Sequence, residues 1–323
     1  MEIIENKNFE KIYKKEFQEF INNNISDIYH EIILTGPSTG NRNFVITENG
    51  KLIAIVPLNF EKKNNSNLVG SFFDLSIPGP IFVKNLELKK FKKIIKLVIS
   101  EIDKKCLQNN ISEIKINFSD LIKFNTGSQE YYILLEVLSN YGFTNKSFIG
   151  LRINLDKTNE EIIKDCSKGH KSEIKKQLNC TYIFETYQDD KIGFDDFKDM
   201  VKEQVDIEDY CEPLYNLFLQ NKIFLSYLTG PEKIFCSIFS VAGNSVEYFV
   251  DTMSSTNHHS LIIAAAKYFK SLKRFKYLNF GIVNYLENKT LSESKKKQNI
   301  SIFKKGFGGE KYLLSIFQKQ YFK

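Results

Sequence analysis

The chain has 323 residues, 42% hydrophobic and 14% aromatic, with 45 basic and 39 acidic residues for a net charge of +6. That length exceeds one ordinary core and suits two domains of ~150 residues, with enough apolar side chains to fill both. The mild positive charge excludes a dedicated DNA-binding protein and suits a phosphate-bearing substrate, while five scattered cysteines with no Cys-x-x-Cys pair exclude a disulfide framework or zinc site and read as reduced thiols.

In chain order, residues 1–15 are charged throughout and lack the apolar core of a leader. No later run approaches ~18 apolar residues, so the expectation is a cytoplasmic protein without a transmembrane segment. Phe9 to Asn22 reads as an amphipathic helix with Phe9, Ile12, Phe17 and Phe20 inward. Arg42, one of few arginines, lies in Gly40-Asn41-Arg42-Asn43. Phe44–Thr47 and Leu52–Leu58 form a hairpin around Asn49-Gly50, the favoured two-residue turn pair. Ser76-Ile77-Pro78-Gly79-Pro80 is a rigid loop that stops a strand or, with Arg42, meets a substrate between the domains. Leu86 to Cys106 is helical, Ile114 to Phe118 a strand, and Glu130 to Tyr141 a helix leading to Gly142-Phe143. Leu151 to Leu155 begins the crossing into the second half.

The second half opens on a basic helix, with Lys164, Lys168, Lys171 and Lys175 at i, i+4, i+7 and i+11 on one face. Three meandering strands follow: Phe224 to Leu228, Ile234 to Val241 and Val246 to Met253. After the turn Ser254 to Asn257 comes a helix, His259 to Lys273, with Leu261, Ile262, Ala265, Phe269 and Leu272 inward, then a strand from Tyr277 to Val283. Ile300-Ser301-Ile302-Phe303 reads as the start of a strand. It runs into Lys304-Lys305, then Gly306-Phe307-Gly308-Gly309, whose glycines permit φ > 0 and close approach to a phosphate or carboxylate.

This order of meander, helix and returning strand is that of a GNAT-type acyltransferase core. Several segments match in sequence: His258-His259-Ser260-Leu261-Ile262, Tyr277-Leu278-Asn279-Phe280-Gly281, and Ile300 to Gly309. Together they resemble the second half of FemABX-type transferases, the tandem-GNAT family that includes peptidoglycan-bridge aminoacyltransferases. Asp165 to Lys176 resembles the basic helix start of that family's second domain. The resemblance covers roughly a hundred residues. The N-terminal half follows a parallel order of elements without a letter-by-letter repeat. The resemblance implies an α/β fold of two GNAT-like domains in tandem, each a mixed, mostly antiparallel sheet flanked by helices. The expected domains are 1–150 and 151–311, with the tail 312–323 returning to the first, as in the family.

By the same resemblance Phe303 and Lys304 lie near the aminoacyl end of the donor. Lys305, Gly306 and Gly308 complete that edge; without the family match the lysines read as a solvated pair. Asn257, His258 and His259 sit at a helix N-terminus, where free N–H groups favour anions; an Asn257 or Thr256 N-cap with exposed histidines is the plainer alternative. Ordinary GNAT enzymes carry here an Arg/Gln-x-x-Gly-x-Gly/Ala loop for the coenzyme A pyrophosphate. This chain has neither the glycines nor the arginine, which agrees with the Fem family's use of aminoacyl-tRNA. Asp251, late on the third meander strand, is the candidate base, with Glu247 weaker. Tyr227 and Asn279 line the same cleft or serve packing. Lys168 and Lys171 form an electrostatic footprint for tRNA or a nucleotide-linked acceptor, or simply a solvated helix.

The expectation is therefore an enzyme that forms an amide by direct attack of an acceptor amine on an activated aminoacyl group. Lys304 and Asp251 would be its catalytic pair. No cofactor or metal is expected; the acyl donor is a co-substrate, aminoacyl-tRNA or, in the alternative, acyl-CoA used on an amino sugar. The acceptor would be a nucleotide-linked sugar or peptidoglycan precursor of the cell envelope, in a branch of the family tied to surface polysaccharides. A non-catalytic tRNA- or nucleotide-binding module on the same scaffold is the remaining alternative.

Overall fold

The computed structural model describes residues 1–5, 19–20, 30, 42–63, 67–70, 76–83, 85–119, 128–202, 211–242, 244–251, 258–283 and 295–321. They form two compact units, residues 1–147 with 313–323, and residues 148–312.

The N-terminal unit runs β1 (Glu2–Glu5), β2 (Phe44–Glu48), β3 (Lys51–Val56), β4 (Glu61–Lys63), β5 (Asn67–Gly70), β6 (Ile77–Pro78), β7 (Ile81–Phe82), α1 (Leu88–Gln108), β8 (Ile111–Ser119), α2 (Gln129–Asn140) and β9 (Thr144–Asn145). The C-terminal unit runs β10 (Phe148–Asn154), α3 (Asn159–Asp165), α4 (Lys168–Lys176), β11 (Tyr182–Glu185), α5 (Phe194–Lys202), α6 (Cys211–Leu219), β12 (Ile223–Leu228), β13 (Ile234–Ala242), β14 (Ser245–Asp251), α7 (His258–Ser271), β15 (Tyr277–Ile282), α8 (Lys295–Gly306) and β16 (Glu310–Gln320). From Leu313 on, β16 belongs to the N-terminal unit.

In the N-terminal unit one sheet is ordered β1-β2-β3-β7. Its β2–β3 turn holds Asn49 at φ 50 and Gly50 at φ 73, the twist a two-residue hairpin needs. A second group pairs β4 with β5, β5 and β6 with β8, and β8 with the far half of β16, from Leu314 opposite Ser119 to Gln320 opposite Glu113. α1 buries Phe91, Ile94, Ile95, Val98, Ile99 and Ile102, a three-and-four spacing that lays one apolar stripe against α2 and β8. Each such side chain contributes about 1.5–3 kcal/mol on burial.

The C-terminal unit's sheet has the order β11-β12-β13-β14-β15-β10. Every neighbour is antiparallel except β14 and β15, which are parallel and joined through α7. One face of the sheet packs on α7 through Leu261, Ile262, Ala265 and Phe269, with Phe184, Phe224 and Phe239 packed edge-on or tilted around Phe269. α6 packs on β12, and Phe197 of α5 stacks on Phe218 of α6 at 5.5 Å.

Three sequence expectations are corrected. Ile300 to Phe303 is not a strand but the middle of α8. A short apolar run carries no period of its own, and here the polar Ser301 is 4% exposed while Ile300 and Ile302 are 42% and 55% exposed, the reverse of a buried strand face. The single basic helix is two helices. The chain leaves α3 at Cys166 with extended ψ, and Ser167 caps α4, so Lys164 does not share a helix with Lys168, Lys171 and Lys175. Leu272 lies past the end of α7 and is exposed. The expected helix over 9–22 falls almost wholly outside the described residues.

Candidate active site

The pairing of β14 with β15 lasts three residues, Ser245–Tyr277, Val246–Leu278 and Glu247–Asn279. Beyond them β14 stays on β13, with Tyr248 opposite Phe239 and Asp251 opposite Ser237, while β15 stays on β10, with Ile282 opposite Gly150. The two central strands thus part company in mid-sheet, and their facing backbone groups leave the ladder there. Gly281, at φ 68, sits on β15 just past the parting point. Among the described residues, a Cβ built on it would meet one group within 4 Å, the Nζ of Lys304 at 3.9 Å. α8 therefore delivers Lys304 to the opening in the sheet.

Lys304 is half-buried, and the desolvation of its ammonium pushes the pKa down to about 8. Its position is set by a cluster of rings. Phe303 and Phe307 are 5.1 Å apart, and Phe307 stacks on Phe280 of β15 at 5.5 Å. His170 of α4 lies 4.7 Å from Phe307 and 4.4 Å from His259 of α7, which in turn lies 5.2 Å from Phe303. The His170 Nε2–H donates to the Phe303 carbonyl at 2.8 Å. This assigns the tautomer, and the Ser167 hydroxyl then donates to Nδ1 at 3.2 Å. Burial holds His170 below the usual histidine range; burial and the neighbouring His170 do the same for His259. His170 is thus a neutral bracket that fixes the backbone one residue before Lys304. The signal in the sequence was its place on the apolar side of α4 with Ile174.

The glycines are explained by the same packing. A Cβ on Gly306 would stand 1.9 Å from the His170 ring, one on Gly308 2.4 Å from the Asp165 carbonyl, and one on Gly309 2.6 Å from the Arg152 carbonyl. Gly308 and Gly309 have φ of 70 and 83 and end α8 in the left-handed conformation; Gly306 does not need positive φ. The close approaches seen at these glycines are to the protein's own chain. Lys305 is half-buried beside Lys304.

His258 and His259 open α7, and His258 lies 6.2 Å from Phe303, so both join the ring cluster. Asn257 falls outside the described residues. Asp251 ends β14 at the level of Ser237. Asn279 is at the parting point, 1% exposed. Tyr227 is not beside it: it pairs with Ile183 and Phe235, three strand spacings or about 14 Å across the sheet. Its hydroxyl faces Met200 Sδ at 3.9 Å, and burial raises its pKa. Lys168 and Lys171 are exposed on α4. Arg42 belongs to the N-terminal unit, exposed, with its N–H donating to the Leu58 carbonyl at 2.8 Å. Sequence reasoning passed over Ser240, which lies level with Glu247 on an otherwise apolar strand.

No family model matches the chain. No relative is found among curated proteins. Solved structures do match. FemX aligns over 99% of this chain and 98% of its own with a TM-score of 0.62 at 15% identity. L-PGS from Bacillus licheniformis aligns over 96% and 92% with a TM-score of 0.57 at 11% identity. A tandem GNAT protein from the clavulanic acid biosynthesis pathway aligns over 99% and 98% with a TM-score of 0.50 at 7% identity. The chain has a tandem GNAT fold. In that fold β14 and β15 part within the C-terminal sheet, and the Lys304 ammonium lies beside the parting. Among the described residues no helix is long and apolar enough to cross a membrane, and no cluster of three metal-ligating side chains forms.

Proposed function

We propose that this tandem GNAT protein is an amide-forming aminoacyltransferase. The observation that carries the reading is Lys304, a desolvated cation at the opening between β14 and β15 of a GNAT sheet. In the proposed reaction the acceptor amine nitrogen attacks the carbonyl carbon of an aminoacyl ester. The carbonyl oxygen takes up negative charge, which the Lys304 ammonium stabilises in a low-dielectric setting. Collapse breaks the ester C–O bond, the amide C–N bond remains, and the proton lost by the amine ends on the departing hydroxyl, with Asp251 at the end of β14 as its proposed route. Phe303, Lys305 and the histidines of α7 would line the donor side.

Aminoacyl-tRNA is the donor we favour, because the turn before α7 lacks the glycines and arginine of a pyrophosphate loop. Lys168 and Lys171, exposed on α4, would contribute phosphate contacts. The acceptor is an amine of a nucleotide-linked sugar or peptidoglycan precursor. The test follows labelled aminoacyl groups from charged tRNA into a panel of such precursors. Lys304→Ala is expected to lower turnover by about 10²–10³ with the fold intact. Full turnover by that variant would remove Lys304 from catalysis, and CoA release from acetyl-CoA with amino-sugar acceptors would reassign the donor.

A further inference from the structure

One row of side chains crosses the C-terminal sheet at the parting point. Ser240 of β13 is opposite Glu247 of β14, which is level with Asn279 of β15, which is opposite Arg152 of β10. The residues on either side of each, Phe239 and Val241, Val246 and Tyr248, Leu278 and Phe280, Leu151 and Ile153, all join the apolar cluster under α7. Side chains alternate along a strand, so the row faces the other way. Ser240 and Asn279 are 0% and 1% exposed. Yet the Ser240 hydroxyl oxygen and both amide atoms of Asn279 have no hydrogen-bond partner among the described residues. Arg152 does not serve Asn279: its guanidinium lies over the Tyr277 ring at 3.9 Å and its Nε reaches Glu310 at 3.6 Å.

A buried amide with neither end satisfied is costly to the fold, and such groups call for a reason. The position supplies one. Asn279 stands two residues, about 6.6 Å of strand, before the Gly281 that Lys304 approaches. Neighbouring residues across a sheet bring their Cβ atoms to about 5 Å, so Glu247 has Ser240 on one side and Asn279 on the other. The row offers a hydroxyl oxygen, a carboxylate and an amide oxygen, three acceptors around one negative charge. A primary ammonium presents three donors around one positive charge. The Asn279 N–H₂ then remains to donate to a carbonyl beside that ammonium, an arrangement an aminoacyl group presents and an acetyl group does not.

We propose that Ser240, Glu247 and Asn279 form a recognition subsite for a primary ammonium group. The subsite deepens the transferase reading and rests on it for its meaning, since the ammonium belongs either to the aminoacyl donor or to the acceptor. The test is binding by the full chain, followed at the Asn279 side-chain amide by NMR, with that resonance assigned through its loss in Asn279→Leu. The donor arm uses alanine methyl ester against N-acetylalanine methyl ester. The acceptor arm uses glucosamine against N-acetylglucosamine. One ammonium probe is expected to shift the Asn279 amide and to bind at least tenfold more tightly than its acetylated form, and the arm in which this happens names the source. Glu247→Gln is expected to weaken that probe at least tenfold. Asn279→Leu is expected to abolish the preference while leaving the melting temperature unchanged or higher. No response in either arm, or equal binding of free and acetylated probes, overturns the subsite. The readout needs no turnover. Selective binding without aminoacyl transfer would sink the transferase reading and keep the subsite, while transfer with no response at Asn279 would do the opposite.

Discussion

Lys304 is held where its charge is least comfortable. An ordinary lysine, near 10.5, is driven to about 8 here by desolvation. Below pH 8 both the native and unfolded states carry the proton, so the native state bears the full penalty, up to about 3 kcal/mol from a shift of that size. Between pH 8 and 10.5 the native state sheds its proton first and the penalty shrinks. Lys304→Met is therefore expected to raise the urea midpoint at pH 7 by up to about 3 kcal/mol of stability while removing activity, the trade-off of a destabilised active-site group. If the ammonium is the working form, the turnover rate should fall as pH rises through about 8. A rate that climbs through the same value would make Lys304 a proton acceptor instead.

The neighbouring histidines act in the same direction, in a lower pH window. His170 is kept neutral by burial, opposed only by its bond to Phe303; His259 is kept neutral by burial, His170 and His258, opposed by Glu173. Above the unfolded value of 6.5 both states are neutral. As pH falls below 6.5 the unfolded chain takes up protons that the native pair refuses, so stability falls until the lower native values are passed. Equilibrium unfolding between pH 7 and 5 is expected to show this loss, and a less steep loss in His170→Gln.

At the scale of elements, α4 and α8 fit together through one missing methyl group. Gly306→Ala would place a carbon 1.9 Å from a ring fixed by Ser167 and Phe303. A cost of about 2 kcal/mol or more is expected from the overpacking. Adding His170→Ala opens the space, so the cost of Gly306→Ala in that background should drop below about 1 kcal/mol, a coupling that a double-mutant cycle reads directly. This lock also shows where the sequence was and was not legible. The β2–β3 hairpin, α1, the meander β12 to β14, α7 and β15 announced themselves through Asn49-Gly50, through three-and-four spacing and through alternation. α8 did not: Ile300, Ile302 and Phe303 are apolar, but two of them point outward, and the buried Ser301 carries no hydrophobic signal. The glycines read as a ligand turn because nothing in a sequence tells a ligand's approach from that of His170. The row from Ser240 to Asn279 was legible only singly, since its meaning comes from register across three strands.

At the scale of the whole molecule, the C-terminal strand belongs to both units. β16 leaves the glycine turn within the C-terminal unit and, from Leu314, pairs with β8 of the N-terminal unit, burying Ile316 and Phe317. Removing residues 313–323 takes a partner from the seven positions of β8 that pair with β16. Fast amide exchange throughout β8 is expected in that truncation; retained protection would mean that the first unit closes without the tail.

Which activated acyl group the C-terminal GNAT unit receives decides the chemistry of the whole molecule. The most direct measurement is a pair of binding titrations, one with charged tRNA and one with acetyl-CoA, each at two salt concentrations. Saturable binding of charged tRNA that weakens as salt rises is expected, with no binding of acetyl-CoA. Saturable acetyl-CoA binding without tRNA binding would contradict the aminoacyl-tRNA donor.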